Sequence, residues 1–243
     1  MAISMKKYIF ASLLALTTVG MSSCDDGPIQ ETTISFKEGR VVKLTGTVTG
    51  LQNWPDDYSV AIAGFDGTDE YAVISKALPK TSSGKVEVVL SGISDEVTNV
   101  QFCVLDRLRR QVMTFQQMDL EQTRDTMRFE VGNINASMYN TIQLGYFNTT
   151  CANCHGASNR AAAGLYLTEG KSYDAMVGKP STKLPDIMLV KPGDADHSLL
   201  HMVLRQDKVE GISMIHRDMV SEKNEQSILP LIDSWINNGA KGD

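Results

Sequence analysis

The sequence predicts a multidomain chain, with an N-terminal all-β sandwich (Ig-like or a related Greek key) followed by an all-α domain. Three observations predict it. Apolar residues recur with period two from about Ile34 to Val131. After Asn133 the period lengthens to that of a helix. A basic, then apolar, then small-residue leader precedes both. The implied boundaries are a leader over 1–23, an acidic linker over 24–33, the sandwich over 34–135 and the helical domain over 136–243.

The 243 residues leave room for two modest cores. Hydrophobic content of 42% and charged content of 21% are those of a globular chain, neither disordered nor a multi-spanning membrane protein. The net charge is −6, and from Asn148 onward 10 Lys/Arg face 12 Asp/Glu, a balance of −2. That half carries no basic footprint for nucleic acid and no strong single-sign field.

The leader reads "MKKYIFASLLALTTVGMSSC". Lys6 and Lys7 open it, an apolar run follows from Tyr8 to Val19, and small residues lead to Cys24. It is short for a membrane span and gives way to acidic, polar sequence, which is the pattern of an export signal. Met21-Ser22-Ser23-Cys24 resembles a bacterial lipobox, with Met21 where Leu is usual. The resemblance implies that Cys24 is lipidated and becomes the mature N-terminus. A plain secretory peptide, or an uncleaved anchor with Cys24 incidental, is the alternative. Asp25 and Asp26 resemble the surface-export tag of some Gram-negative lipoproteins. The expected location is the cell envelope, on the outer membrane, facing the periplasm or the exterior. Thiols there need a reason to stay reduced.

In the β half, Val42, Leu44, Gly46 and Val48 alternate with Lys43, Thr45, Thr47 and Thr49. Val86/Val88/Leu90, Val100/Phe102/Val104 and Met127/Phe129/Val131 repeat the pattern. Turn-rich stretches at 53–57, 64–70, 79–85 and 91–96 separate the runs. Short strands with one polar face build a sandwich. No catalytic grouping stands out in it. Cys103, mid-strand, is expected to be a buried structural thiol. "RLRR" at 107–110 reads as a solvated hairpin, and Trp54 as a loop-packing aromatic rather than a sugar platform.

Beyond Asn133, Met138, Ile142 and Tyr146 fall on one helical face. Asp194 or Asp196 can cap a helix carrying Leu199, Leu200, Met202 and Val203. A last helix would bury Ile228, Leu231, Ile232, Trp235 and Ile236 and end at Gly239. Pro230 is harmless there if Ser227 is the N-cap, whereas a start at Ser221 predicts a kink near Pro230.

The chemistry concentrates in "TTCANCHGAS" at 149–158. Two thiols three positions apart on a helical turn can reach the two vinyl groups of one haem. The histidine directly after them can present a ring nitrogen to its iron. Cys151-Ala-Asn-Cys154-His155 therefore reads as c-type haem attachment, one covalent haem with His155 as proximal ligand. A redox disulfide would want a preceding strand in a βαβ unit, which is missing. A zinc site would want a second ligand pair at suitable spacing, and the remaining cysteines do not supply it.

Residues 138 to about 240 resemble a class I cytochrome c domain, closest to the compact planctomycete-type variant. The resemblance rests on "CANCHGAS", "GLYL" at 164–167, "VKPGDADHSLLHMV" at 190–203, Met214, and "LIDSWINNGA" at 231–240. Where that family has Met-Pro-Pro, this chain has Met214-Ile215-His216. The resemblance implies a distal thioether from Met214, with Met219 next in line. His216 is the rival, since imidazole is the stronger ligand and would lower the potential. Met188 and His201 are remoter candidates. The family also implies a proline carbonyl that accepts from the second nitrogen of His155, here Pro192. His197 and His201 are expected on the helix surface or at the haem edge, and Tyr166 and Trp235 in the core or near that edge.

The leading functional expectation is a lipid-anchored, single-haem electron carrier, with the sandwich as spacer or docking domain and a redox partner of unstated identity. With both axial positions filled the haem has no open site, so substrate turnover is not expected. A sensor or enzyme with a labile distal ligand is the second class. A glycan- or partner-binding lipoprotein with an accessory haem is the third.

Overall fold

The computed structural model describes residues 39–123, 125–156 and 160–242. The leader, Cys24 and the acidic linker lie outside the described residues. Seven strands are described: β1 (Arg40–Thr49), β2 (Tyr58–Phe65), β3 (Ile74–Ala77), β4 (Lys85–Ile93), β5 (Asn99–Asp106), β6 (Gln111–Asp119) and β7 (Met127–Asn135). They form a three-stranded sheet, β4-β1-β7, and a four-stranded sheet, β3-β2-β5-β6. All pairings are antiparallel except β1 with β7, which run parallel with Leu44 opposite Phe129.

The alternation read from the sequence is what fills the space between the sheets. Val42, Leu44 and Val48 of β1, Val86, Val88 and Leu90 of β4, and Phe129 and Val131 of β7 are buried. They belong to one cluster with Val60, Ile62, Val100, Phe102 and Val104 of the other sheet. Strand β5 departs from one-face alternation, because Asn99 to Leu105 are buried on both faces. Its outer face joins Ala61, Ala63, Phe65, Ala72, Cys103 and Leu105 in a second small cluster. Cys103 is the buried thiol expected there, and burial pushes its pKa far above the ordinary thiol value.

The second half of the expected fold is corrected. The described chain is mostly β-sheet, and its short helices gather at the C-terminal end without forming an all-α domain. The α-helical stretches are Met138–Ile142, Ala152–His155, Ser172–Met176, Leu199–Arg205, Glu222–Gln226 and Ile228–Asn237, the longest having 10 residues, and a π-helical stretch, Gln143–Cys151, joins the first two. Helices of that length are marginal alone and take their stability from packing. Here they pack into the sandwich's own core: one cluster runs from Val42 through Ile142 and Leu200 to Ala240. Residues 38–243 form a single compact unit accordingly. The helical periodicity is genuine but confined to short stretches. Gly164, Gly170, Gly178, Pro180, Pro185, Pro192 and Gly211 break the chain between them.

Where helices do form, their ends follow local chemistry. Ser137 caps the first, its Oγ accepting from the Asn140 N–H at 3.1 Å. Ser198 precedes Leu199–Arg205, so neither Asp194 nor Asp196 is the N-cap. Asp194 acts one turn earlier, accepting from the His197 N–H at 3.3 Å. Near the C-terminus both readings of Pro230 are partly realised. Ser221 caps a helix that breaks at Ser227, and a new helix starts at Ile228 with Pro230 in its first turn. Gly239, at φ +93°, ends it as expected.

Candidate functional site

The stretch from Met138 to His155 is one continuous helical run whose middle, Gln143–Cys151, is a π-helix. Hydroxyls compete with its ladder: Thr141 Oγ1 donates to the Ser137 carbonyl at 2.8 Å, and Thr149 Oγ1 to the Gly145 carbonyl at 2.9 Å. The Ala152 N–H reaches five residues back to Phe147. Wide turns of this kind recur at functional sites. Tyr146 and Phe147 point into the core, both fully buried. Gln143, buried mid-run, ties the helix to the segment Leu167–Ser172. Its Nε2 donates to Asn148 Oδ1 at 2.7 Å and to the Leu167 carbonyl at 3.1 Å. Its Oε1 accepts from the Tyr139 hydroxyl at 3.1 Å and from the Ser172 hydroxyl. A satisfied buried amide of this sort fixes one arrangement.

The run delivers Cys151, Cys154 and His155 to the wall of a cavity of about 680 Å³. That lies within the roughly 300–1,000 Å³ typical of small-molecule and cofactor sites. Leu165 and Leu167 line it beside the motif, Leu199, Leu200, Val203 and Leu204 form an apolar wall, and Met214, His216 and Met219 come from a loop.

His155 is held by its own neighbourhood. Its Nδ1 lies 3.1 Å from the Ala162 carbonyl and 3.3 Å from that of Leu165. Carbonyls only accept, so Nδ1 carries the hydrogen and Nε2 keeps the lone pair. The role expected of the Pro192 carbonyl is filled by these two. The chain doubles back right after the motif, with the Leu167 N–H on the His155 carbonyl at 2.8 Å. Pro192 instead sits in a turn whose next residue, Gly193, bonds to the Ile236 carbonyl.

Cys151 is half-buried, Cys154 is exposed, and they form no disulfide with each other. Burial, with a smaller contribution from Cys154, pushes the Cys151 thiol up to about 12. Disulfide-exchange chemistry needs the reverse, a thiol made acidic. Among the described residues no three His, Cys, Asp or Glu side chains converge as a metal ion bound by side chains alone requires. The Tyr146 hydroxyl is buried at the cavity wall with no hydrogen-bond partner among the described residues. Buried polar atoms are rarely left so.

Of the other residues singled out in the sequence, Met214 and Met219 line the cavity but are 51% and 48% exposed. Met188 and His201 are not on its wall. His201 Nδ1 is 2.7 Å from Asp233, which also accepts from Arg205 at 2.7 Å. His197 lies on the surface against Asp194, at 2.8 Å. Tyr166 stands under Lys171, and Trp235 is core, its Nε1 donating to the Lys241 carbonyl at 2.8 Å. Trp54 is buried and so offers no platform to a sugar. Sequence reasoning missed Gln143, the Ala162 and Leu165 carbonyls and the Tyr146 hydroxyl. Only Gln143 left a trace, as a polar residue beside the apolar Met138–Ile142–Tyr146 stripe. Compared with known proteins, the chain matches no family model and no curated relative, so the reading of this site rests on its own residues.

Proposed function

We propose that the protein is a membrane-anchored, single-haem c-type electron carrier. One observation carries this reading: Cys151, Cys154 and His155 share an apolar cavity wall, and a loop bearing sulfur and imidazole donors faces into the same space. Cys151 and Cys154 would hold the haem through thioether bonds, and His155 Nε2 would be the proximal donor. Bound there, haem supplies one-electron exchange between ferrous and ferric iron. The protein's part is to keep the group fixed and largely dry. The apolar wall from Leu199 to Leu204 would exclude water, and the carbonyls on His155 Nδ1 fix the ring's orientation.

The sandwich serves as scaffold more than as spacer, since it shares its core with the motif helix. Lipidated Cys24 would hold the protein at the outer membrane, within reach of a redox partner. The modest charge of the C-terminal half suits a partner already nearby better than one steered from a distance. A ligand-binding sensor is the second reading, favoured by the exposure of Met214 and Met219. The test is the optical spectrum of oxidised and reduced protein from a host competent in haem attachment. A c-type spectrum supports the proposal, and a colourless chain overturns it.

A further inference from the structure

The imidazoles of His155 and His216 lie with ring centres 6.3 Å apart and planes 19° from parallel. Two imidazoles on opposite sides of one metal, each bonded at about 2 Å with its ring centre about 1 Å further out, stand roughly 6 Å apart. Each ring is also set in the tautomer of a ligand. His155 Nδ1 faces the Ala162 and Leu165 carbonyls, and His216 Nδ1 faces the Met214 carbonyl at 3.1 Å. Both hydrogens therefore sit on Nδ1, and both Nε2 atoms carry lone pairs. Neither Nε2 has a hydrogen-bond partner among the described residues. Both rings line the same cavity, so one metal centre held there can take a donor from each.

The loop is built to hold His216 and not Met214. Its neighbour Arg217 donates to the Arg205 carbonyl at 2.7 Å and pairs with Glu225 at 3.1 Å and Asp207 at 3.3 Å. Those contacts tie the turn His216–Met219 to the helices Leu199–Arg205 and Glu222–Gln226. Met214 and Ile215 are left 51% and 44% exposed.

We infer that His216 is the distal axial ligand of the haem, with the Met214 backbone carbonyl as its positioning group. The inference rests on the proposed haem function and narrows it to bis-imidazole iron, a lower-potential carrier than a His/Met haem. The test uses the full-length holoprotein. The ferric protein should be low-spin and lack the sulfur-to-iron charge-transfer band at the red end of the spectrum. His216→Ala should turn ferric iron high-spin and open the ferrous form to carbon monoxide, whereas Met214→Ala, which keeps the backbone carbonyl, should change neither property. A sulfur band in the wild-type protein, or carbon monoxide binding gained in Met214→Ala alone, overturns the assignment and leaves the carrier function intact. The wild-type spectrum decides even if a variant folds poorly. Absence of covalent haem from the wild-type chain would instead remove the haem function and this inference together.

Discussion

The indole of Trp54 donates to the backbone carbonyl of Ala136 at 2.8 Å, joining residues 82 positions apart, and both are buried. Ala136 immediately precedes the Ser137 cap of the helix that leads to Cys151, Cys154 and His155. The Ala136 N–H in turn donates to the Thr49 carbonyl at 2.9 Å, so the sandwich and the start of that helix are fastened by hydrogen bonds inside a shared core. Further along, the same helix lies on β6 so closely that a Cβ at Gly145 would come 3.1 Å from Met113 Cγ. Replacing Trp54 by Phe strands a buried carbonyl and should cost about 1–3 kcal/mol. Residues 39–242 should melt in one transition followed by both backbone and haem signals, shifted downward in Trp54→Phe. Residues 136–243 expressed alone should fail to fold. A stable, cooperatively melting C-terminal fragment would contradict the shared core.

Covalent attachment makes a sharp prediction for the two thiols. Colour should stay with the wild-type chain through acid–acetone extraction and denaturing electrophoresis. Cys151→Ala and Cys154→Ala should each weaken retention, and the double variant should lose it. Cys103→Ala should retain haem fully, because that thiol is sealed on the far face of β5. Retention in the double variant would show that the colour comes from elsewhere.

Short-range chemistry is the part of this protein that its sequence makes legible. Val86, Val88 and Leu90 point inward because a strand alternates, whatever surrounds it. Cys151, Cys154 and His155 are adjacent because the motif is five residues long. The error lies in long-range consequences. Met138, Ile142 and Tyr146 are buried as their spacing foretells, yet in a core continuous with that of the sandwich rather than in one belonging to a separate helical domain. Periodicity names the face that is buried and not the element that buries it. The support of His155 escapes the sequence for a like reason. Which carbonyl meets Nδ1 depends on how residues 160–167 fold back, and backbone acceptors leave no mark in side-chain identity.

The anchor is tested at Cys24. One acylated cysteine would supply the main apolar insertion, so Cys24→Ser should release the protein from the membrane fraction while its haem spectrum stays unchanged. Washing with high salt should not mimic that release, because the chain is acidic, at −6, and electrostatic attachment to anionic lipid is disfavoured. Unchanged fractionation of the variant would count against lipidation.

Asp194 should govern part of the acid limit of stability. Its carboxylate accepts from Lys191 Nζ at 2.7 Å and from the His197 ring at 2.8 Å. Lys191 first, then His197, hold its pKa down to about 2 from the ordinary 3.8. A carboxyl that is more acidic folded than unfolded binds fewer protons in the native state. Its contribution is then fully present above the unfolded value and drains away as pH falls through the folded one. The group is exposed, so the effect should be modest and weakened by salt. The turn it closes runs from Lys191 to Ser198, whose Oγ accepts from the Lys191 N–H at 2.8 Å and donates to the Asp194 carbonyl at 2.8 Å. That turn sets the start of Leu199–Arg205, the apolar wall of the cavity. Asp194→Asn should therefore lower the melting temperature near neutral pH, and the gap from wild type should close between about pH 4 and pH 2. A gap of constant size down to the lowest pH would mean that the side chain acts by its shape and hydrogen bonding and not by its charge.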